Sequence, residues 1–98
     1  MQKKLPIGIF DSGFGGLSVT KSIHNLLPDE DLIYVADSAF TPYGDMPASE
    51  IIKRAISISN FLINKKNSKA IVVACNTATA FSINELRDKF NIPIIGME

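Results

Sequence analysis

Lys69-Ala70-Ile71-Val72-Val73-Ala74-Cys75-Asn76-Thr77-Ala78-Thr79-Ala80 is the stretch that decides the fold. A short β-branched apolar run ends at a thiol, two small polar residues follow, and a helix-compatible stretch begins. Four to six continuous apolar residues between turn signals read as a strand buried on both faces. A buried strand running directly into a helix is half of a βαβ unit. In an open α/β sheet its carboxyl end is where ligands bind. The thiol therefore stands at a functional edge, just before a helix N-terminus whose unpaired N–H groups and dipole favour thiolate, the reactive form. The competing reading is a small buried hydrophobe, because free cysteine is among the most buried residue types.

The same rhythm extends in both directions. Leu5 to Phe10 is a first strand. Leu17 to Leu27 places apolar residues at near-helical spacing and stops at Pro28. Leu32 to Ala36 is a second strand, and Ser38 to Pro47 is a loop punctuated by Pro42, Gly44 and Pro47. Ile51 to Ile63 reads as a second helix, with Pro47 and Ser49 competing as its start. Ala70 to Ala74 is the third strand, Thr77 to Phe90 the third helix, and Pro93 to Gly96 a terminal strand. The order β-α-β-α-β-α-β predicts a three-layer α/β sandwich with a four-stranded, mainly parallel sheet. Right-handed crossovers then bring every strand-to-helix loop to one edge.

Bulk properties set the outer limits. The chain has 98 residues, 46% of them apolar and 20% charged, enough for one small domain with a core. Ten basic residues balance ten acidic ones, and no basic stripe favours nucleic acid. Lys65, Lys66 and Lys69 read as a solvated helix end. One cysteine cannot form an internal disulfide, which suits a reducing, cytoplasmic setting. The charged start Met1-Gln2-Lys3-Lys4 precedes only a short apolar run broken by Pro6 and Gly8, so neither a signal peptide nor a membrane span is expected. Gly96-Met97-Glu98 follows directly on a strand, and a continuation beyond it is expected.

Three loops converge at the carboxyl edge: Asp11-Ser12-Gly13-Phe14-Gly15-Gly16, Asp37 to Gly44, and Cys75-Asn76-Thr77. They supply a thiol, carboxylates, hydroxyls, an amide and glycine-rich backbone, an inventory for a small polar anion. Gly13 and Gly15 with Asp37 also admit a dinucleotide reading, but Ser18 stands where a third glycine or alanine belongs, and Asp11 would repel a pyrophosphate. Asp11 and Asp37 could each serve only to organise their turns. Tyr43 reads equally as an exposed loop aromatic or as a residue closing over a ligand. A cysteine hydrolase would need a histidine partner, and His24 lies mid-helix, far from this edge. A catalytically idle binding or oligomerisation module stays open.

Three strings, Asp11-Ser12-Gly13-Phe14-Gly15-Gly16-Leu17, Pro42-Tyr43-Gly44 and Ala74-Cys75-Asn76-Thr77-Ala78, together resemble the N-terminal half of glutamate racemases, of the aspartate/glutamate racemase family. Aspartate racemases rank second, because their first loop differs. The resemblance implies a cofactor-independent, metal-free enzyme of two similar α/β domains. Two cysteines would face opposite sides of the substrate α-carbon, interconvert L- and D-glutamate, and supply D-glutamate for peptidoglycan. It implies that residues 1–98 form the N-terminal domain and that Cys75 is one of the two bases. Asp11 would be the carboxylate that orients or deprotonates the thiol. Asp11, Ser12, Pro42, Tyr43, Gly44, Asn76 and Thr77 would bind substrate. The second cysteine and its domain have no counterpart in this chain, so it is expected to be inactive alone and to cover exposed apolar surface by self-association. Asp45-Met46-Pro47-Ala48 also departs from the more charged stretch usual after the Tyr-Gly pair.

Overall fold

The computed structural model of the chain describes residues 4–13, 15–37 and 43–97. Four strands, β1 (Ile7–Asp11), β2 (Leu32–Ala36), β3 (Ala70–Val73) and β4 (Ile94–Gly96), form one sheet in the order β2-β1-β3-β4. Every neighbouring pair is parallel, so the expected mainly parallel sheet is wholly parallel. Three helices alternate with the strands: α1 (Gly16–Leu26), α2 (Ala48–Asn60) and α3 (Asn76–Lys89).

This strand order fixes where the layers go. The chain leaves β1 to one side to make β2, then crosses back over β1 to make β3. Right-handed crossovers in opposite directions put α1 on one face and α2 on the other. The strands obey by alternation. Ile7 and Ile9 of β1 pack with Val72, Ala74, Val19, Ile23 and Tyr34 beneath α1. Phe10 packs with Ile71, Val73, Ile51, Ala55, Leu62, Ala78, Ile83 and Leu86 beneath α2 and α3. Both faces of β1 are buried along its whole length, which explains its unalternating sequence.

Where the chain reverses direction, the carboxyl ends of β1 and β3 lie side by side, with Phe10 opposite Val73. The Ala74 N–H donates to the Phe10 carbonyl at 2.8 Å and carries the pairing one step past β3. A crevice opens at this switch point. β4 is fixed beside it by α3. Arg87 donates through Nε and Nη2 to the Ile94 carbonyl, and the Met97 N–H donates to Thr79 Oγ1.

Element boundaries differ from the sequence reading mainly at helix starts. α2 begins at Ala48, with extended Pro47 as its cap, which resolves the competition between Pro47 and Ser49. Its end is a wider turn over Phe61–Lys65. The Lys66 N–H reaches back five residues to the Phe61 carbonyl, and Asn67 then stops the chain with a φ of 59°. Hydrophobic periodicity carries no signal for a five-residue reach. Tyr43–Asp45, expected as loop, form a single 3-10 turn. Phe14 and residues 38–42, including Pro42, lie outside the described residues.

Candidate active site at the β1–β3 switch point

Asp11 ends β1 with its side chain fully buried. Its carboxylate receives three donors. The Gly13 N–H gives to Oδ1 at 2.9 Å, the Gly16 N–H gives to Oδ2 at 2.6 Å, and the Tyr34 hydroxyl lies 3.0 and 3.1 Å from the two oxygens. Asp11 thus satisfies an orphan N–H at the start of α1 from five residues upstream. Gly15, the residue before the helix, has a φ of 83°, and its left-handed backbone lets the loop fold back onto the carboxylate. A Cβ on Gly16 would run into the Asp11 carboxyl group and the Tyr34 ring, so only glycine fits there. Burial and then the Asp11 hydrogen bond push the Tyr34 phenol above the ordinary tyrosine range, which keeps it a donor. The dinucleotide reading fails at this point. The N–H groups that would meet a pyrophosphate face a carboxylate already in place.

Asp37 follows β2 and is also buried. Arg54 on α2 grips it with two bonds, Nη2 to Oδ1 at 2.7 Å and Nε to Oδ2 at 2.9 Å, and the Tyr43 hydroxyl donates at 2.5 Å. The Arg54 guanidinium, aided by Tyr43 and opposed by burial, holds the Asp37 carboxyl below the usual carboxylate range. Burial, followed by the Asp37 bond, drives the Tyr43 phenol well above its ordinary range. Tyr43 is a core residue, 1% exposed, and neither an exposed loop aromatic nor a free lid. Asp37 is the turn organiser that its sequence position allowed, and its oxygens are not free for a ribose.

Cys75 caps α3. Its extended backbone (φ −145°, ψ 124°) turns the chain from strand to helix, and its sulfur accepts the Ala78 N–H at 3.4 Å. The same sulfur donates to Ser12 Oγ at 3.7 Å. Serine, threonine, aspartate and asparagine usually fill this capping role. A half-buried thiol in their place sets the sulfur against an N–H at the positive end of a helix dipole.

Ser12, Gly15, Val19, Ala74, Cys75, Asn76, Thr77 and Met97 line a cleft of about 320 Å³ at this point. Of the expected site residues, Ser12, Cys75, Asn76 and Thr77 come together in it. Asp11 stands behind the loop and is absent from the lining. Tyr43 is in the core, and Gly44 is exposed away from the described walls. A larger hollow of about 550 Å³ lies at the amino end of β2, lined by Lys21, His24, Glu30 and Asp31 among others. It is at the wrong end of the sheet for switch-point chemistry and holds no thiol. It also places His24 far from Cys75, against the hydrolase reading. Among the described residues, no three His, Cys, Asp or Glu side chains gather to hold a metal ion. No helix there is long and apolar enough to cross a membrane.

Sequence reasoning missed Tyr34 and Arg54. Tyr34 was recoverable in part, because Ile9 pairs with Tyr34 and Asp11 with Ala36, which puts the ring two residues short of the carboxylate on a neighbouring strand. Arg54 reaches Asp37 across 17 residues of chain, through a packing of α2 that no local pattern encodes.

No family model matches the chain. Individual proteins do. The glutamate racemase of Methylococcus capsulatus is 56% identical over 93 residues, 95% of this chain and 34% of that protein. Among solved structures, the Thermus thermophilus glutamate racemase in complex with β-chloro-D-alanine superposes with a TM-score of 0.89 at 44% identity, over 95% of this chain and 36% of that one. The Escherichia coli glutamate racemase, solved with L-glutamate and the activator UDP-MurNAc-Ala, gives 0.90 at 39% identity, over 96% and 35%. The motif resemblance therefore holds over nearly the whole chain and extends to the fold. The chain spans about a third of the length of the relatives it matches.

Proposed function

We propose that this glutamate-racemase-like chain forms one wall of a two-base racemisation site, with Cys75 as the base for one face of the substrate α-carbon. The observation that carries the reading is the Cys75 sulfur at the N-cap of α3, lining a cleft with Ser12, Asn76 and Thr77. Sequence identity of 50–56% to glutamate racemases directs the substrate to glutamate.

The chemistry follows from the donors. As thiolate, Cys75 takes the α-proton. The Cα–H bond breaks, an S–H bond forms, and the electron pair stays on the substrate, spread into its α-carboxylate. Asn76, Thr77 and the N–H groups of the α3 start can hold that carboxylate and meet the charge as it grows. Ser12 and the Tyr43–Gly44 backbone are further binding candidates. Tyr43 could act only through its main chain, since its hydroxyl is committed to Asp37. Asp11 acts through the loop it shapes. Return of a proton to the opposite face needs a second acid, which this reading assigns to polypeptide matching the rest of the relatives. No cofactor enters the scheme, the proposed setting is the cytoplasm, and the proposed role is supply of D-glutamate for the cell wall.

The test is a coupled racemase assay on the purified chain, alone and mixed with the remaining two-thirds of a relative expressed separately. Turnover in the mixture alone is expected. Robust turnover by the lone chain would place both bases within these residues or across a homodimer and end the split-site reading.

A further inference from the structure

We infer that Ser12 is the positioning residue of the Cys75 thiol, accepting its hydrogen when the sulfur is neutral and donating its own when the sulfur is ionised. The contribution to turnover rests on the racemisation reading. The thiol–hydroxyl contact does not.

Three observations meet here. The sulfur donates to Ser12 Oγ at 3.7 Å, within the reach of a sulfur hydrogen bond. Ser12 is buried, 8% exposed, and stands on the cleft wall beside Cys75. The carboxylate beside it, Asp11, is held by Gly13, Gly16 and Tyr34, and the sulfur's side-chain contact is with Ser12. Among the described residues, Asp11, Tyr34, Asp37, Tyr43 and Arg54 at this edge are thus bound to one another or to the glycine loop, and Asp45 is exposed. A carboxylate could only accept from the thiol, whereas a hydroxyl can do either. Ser12 can therefore serve both protonation states by rotating one hydrogen, with no heavy atom moving. The Ala78 N–H supplies the second, fixed donor.

Ser12 is also held on both sides. The Asp37 N–H donates to the Asp11 carbonyl at 2.9 Å, and the Gly13 N–H is tied to the Asp11 carboxylate. Asp11 thereby reaches the thiol indirectly, by fixing the residue that touches it. When the substrate α-proton arrives on Sγ, the new S–H points at Ser12 Oγ. When it leaves, the hydroxyl turns to face the sulfur.

Cys75 is the chain's one cysteine, so thiol measurements on the intact 98-residue protein read this group alone. The S–H infrared stretch of the folded parent at mildly acidic pH should fall below that of the urea-unfolded chain. Ser12→Ala should return it to the unfolded value and slow iodoacetamide alkylation at neutral pH by about three- to tenfold. Ser12→Thr should restore both. An unshifted stretch in the parent overturns the inference, and so does an unchanged stretch and rate in a folded Ser12→Ala. If that variant fails to fold by circular dichroism, the parent stretch decides. A shifted stretch beside an inactive racemase mixture would sink the racemisation reading and keep this contact; an unshifted stretch beside an active mixture would do the reverse.

Discussion

At the scale of single residues, the two carboxylates of the site turn out to be structural anchors, each clamped by a partner from another element. Asp11 accepts from two loop N–H groups and from Tyr34, and an amide there would present a donor to donors. Asp11→Asn is therefore expected to lose about 2 kcal/mol of stability, read as a lower urea midpoint. The family resemblance implies that Asp11 orients or deprotonates the thiol. In the structure its oxygens accept from Gly13, Gly16 and Tyr34, and Ser12 makes the contact with sulfur. A stability unchanged from the parent would return Asp11 to the thiol. The position of Cys75, between a buried strand and a helix start, was legible, and the structure places its sulfur at the N-cap of α3. The Ala78 N–H, three residues on, was legible as one of the unpaired donors of the helix start, whereas Ser12, 63 residues away in sequence, was not.

At the scale of elements, strand and helix order, parallel pairing and the edge where the β1 and β3 loops meet were all readable, because β1 and β3 are short continuous apolar runs and turn signals bound each helix. α3 buries Thr79 and Ser82 beside Ile83 and Leu86 and leaves Phe81 exposed. What stayed hidden was the tie between elements. The Asp37–Arg54 pair joins the end of β2 to α2 and, through Tyr43, fixes the 3-10 turn. Because Asp37 titrates below its unfolded value, the pair contributes stability that is fully present above the ordinary carboxylate pKa of about 4 and is lost as pH falls through the lower folded value. Arg54→Met should cost about 2 kcal/mol at neutral pH, with Tyr43 still donating to Asp37. It should also flatten the acid limb, since the folded-state advantage of the ionised form shrinks. Urea midpoints between pH 7 and pH 3 check both parts: coincident curves for parent and variant would show that the pair adds nothing, and parallel, displaced curves would show that its contribution does not depend on the ionisation of Asp37. Gly16→Ala probes the β1–α1 junction. The added methyl must displace the Asp11 carboxyl or the Tyr34 ring, and a loss of about 2 kcal/mol is expected in the same assay.

At the scale of the whole molecule, the two faces of the sheet are unequally covered. α2 and α3 share one face, while α1 alone serves the other and lies over β1 and β2. Ile95 of β4 pairs with Val72 and shares its side, yet it stays 53% exposed because no described helix reaches it. Met97, 43% exposed, continues this surface into the cleft wall. Exposed apolar area continuous with a site marks a surface built for contact. The chain matches only about a third of its relatives, and we expect the remaining two-thirds to cover this face and complete the cleft. Alone, the chain should self-associate through it. Sedimentation velocity should show association that rises with concentration, that Ile95→Lys reduces without lowering the melting temperature by more than a few degrees, and that the complementary two-thirds of a relative suppresses in the same mixture that gains turnover. A monomeric parent chain at high concentration would show that the face is tolerated in water. Association indifferent to Ile95→Lys would move the contact elsewhere, to other exposed apolar positions such as Leu26 or Phe61.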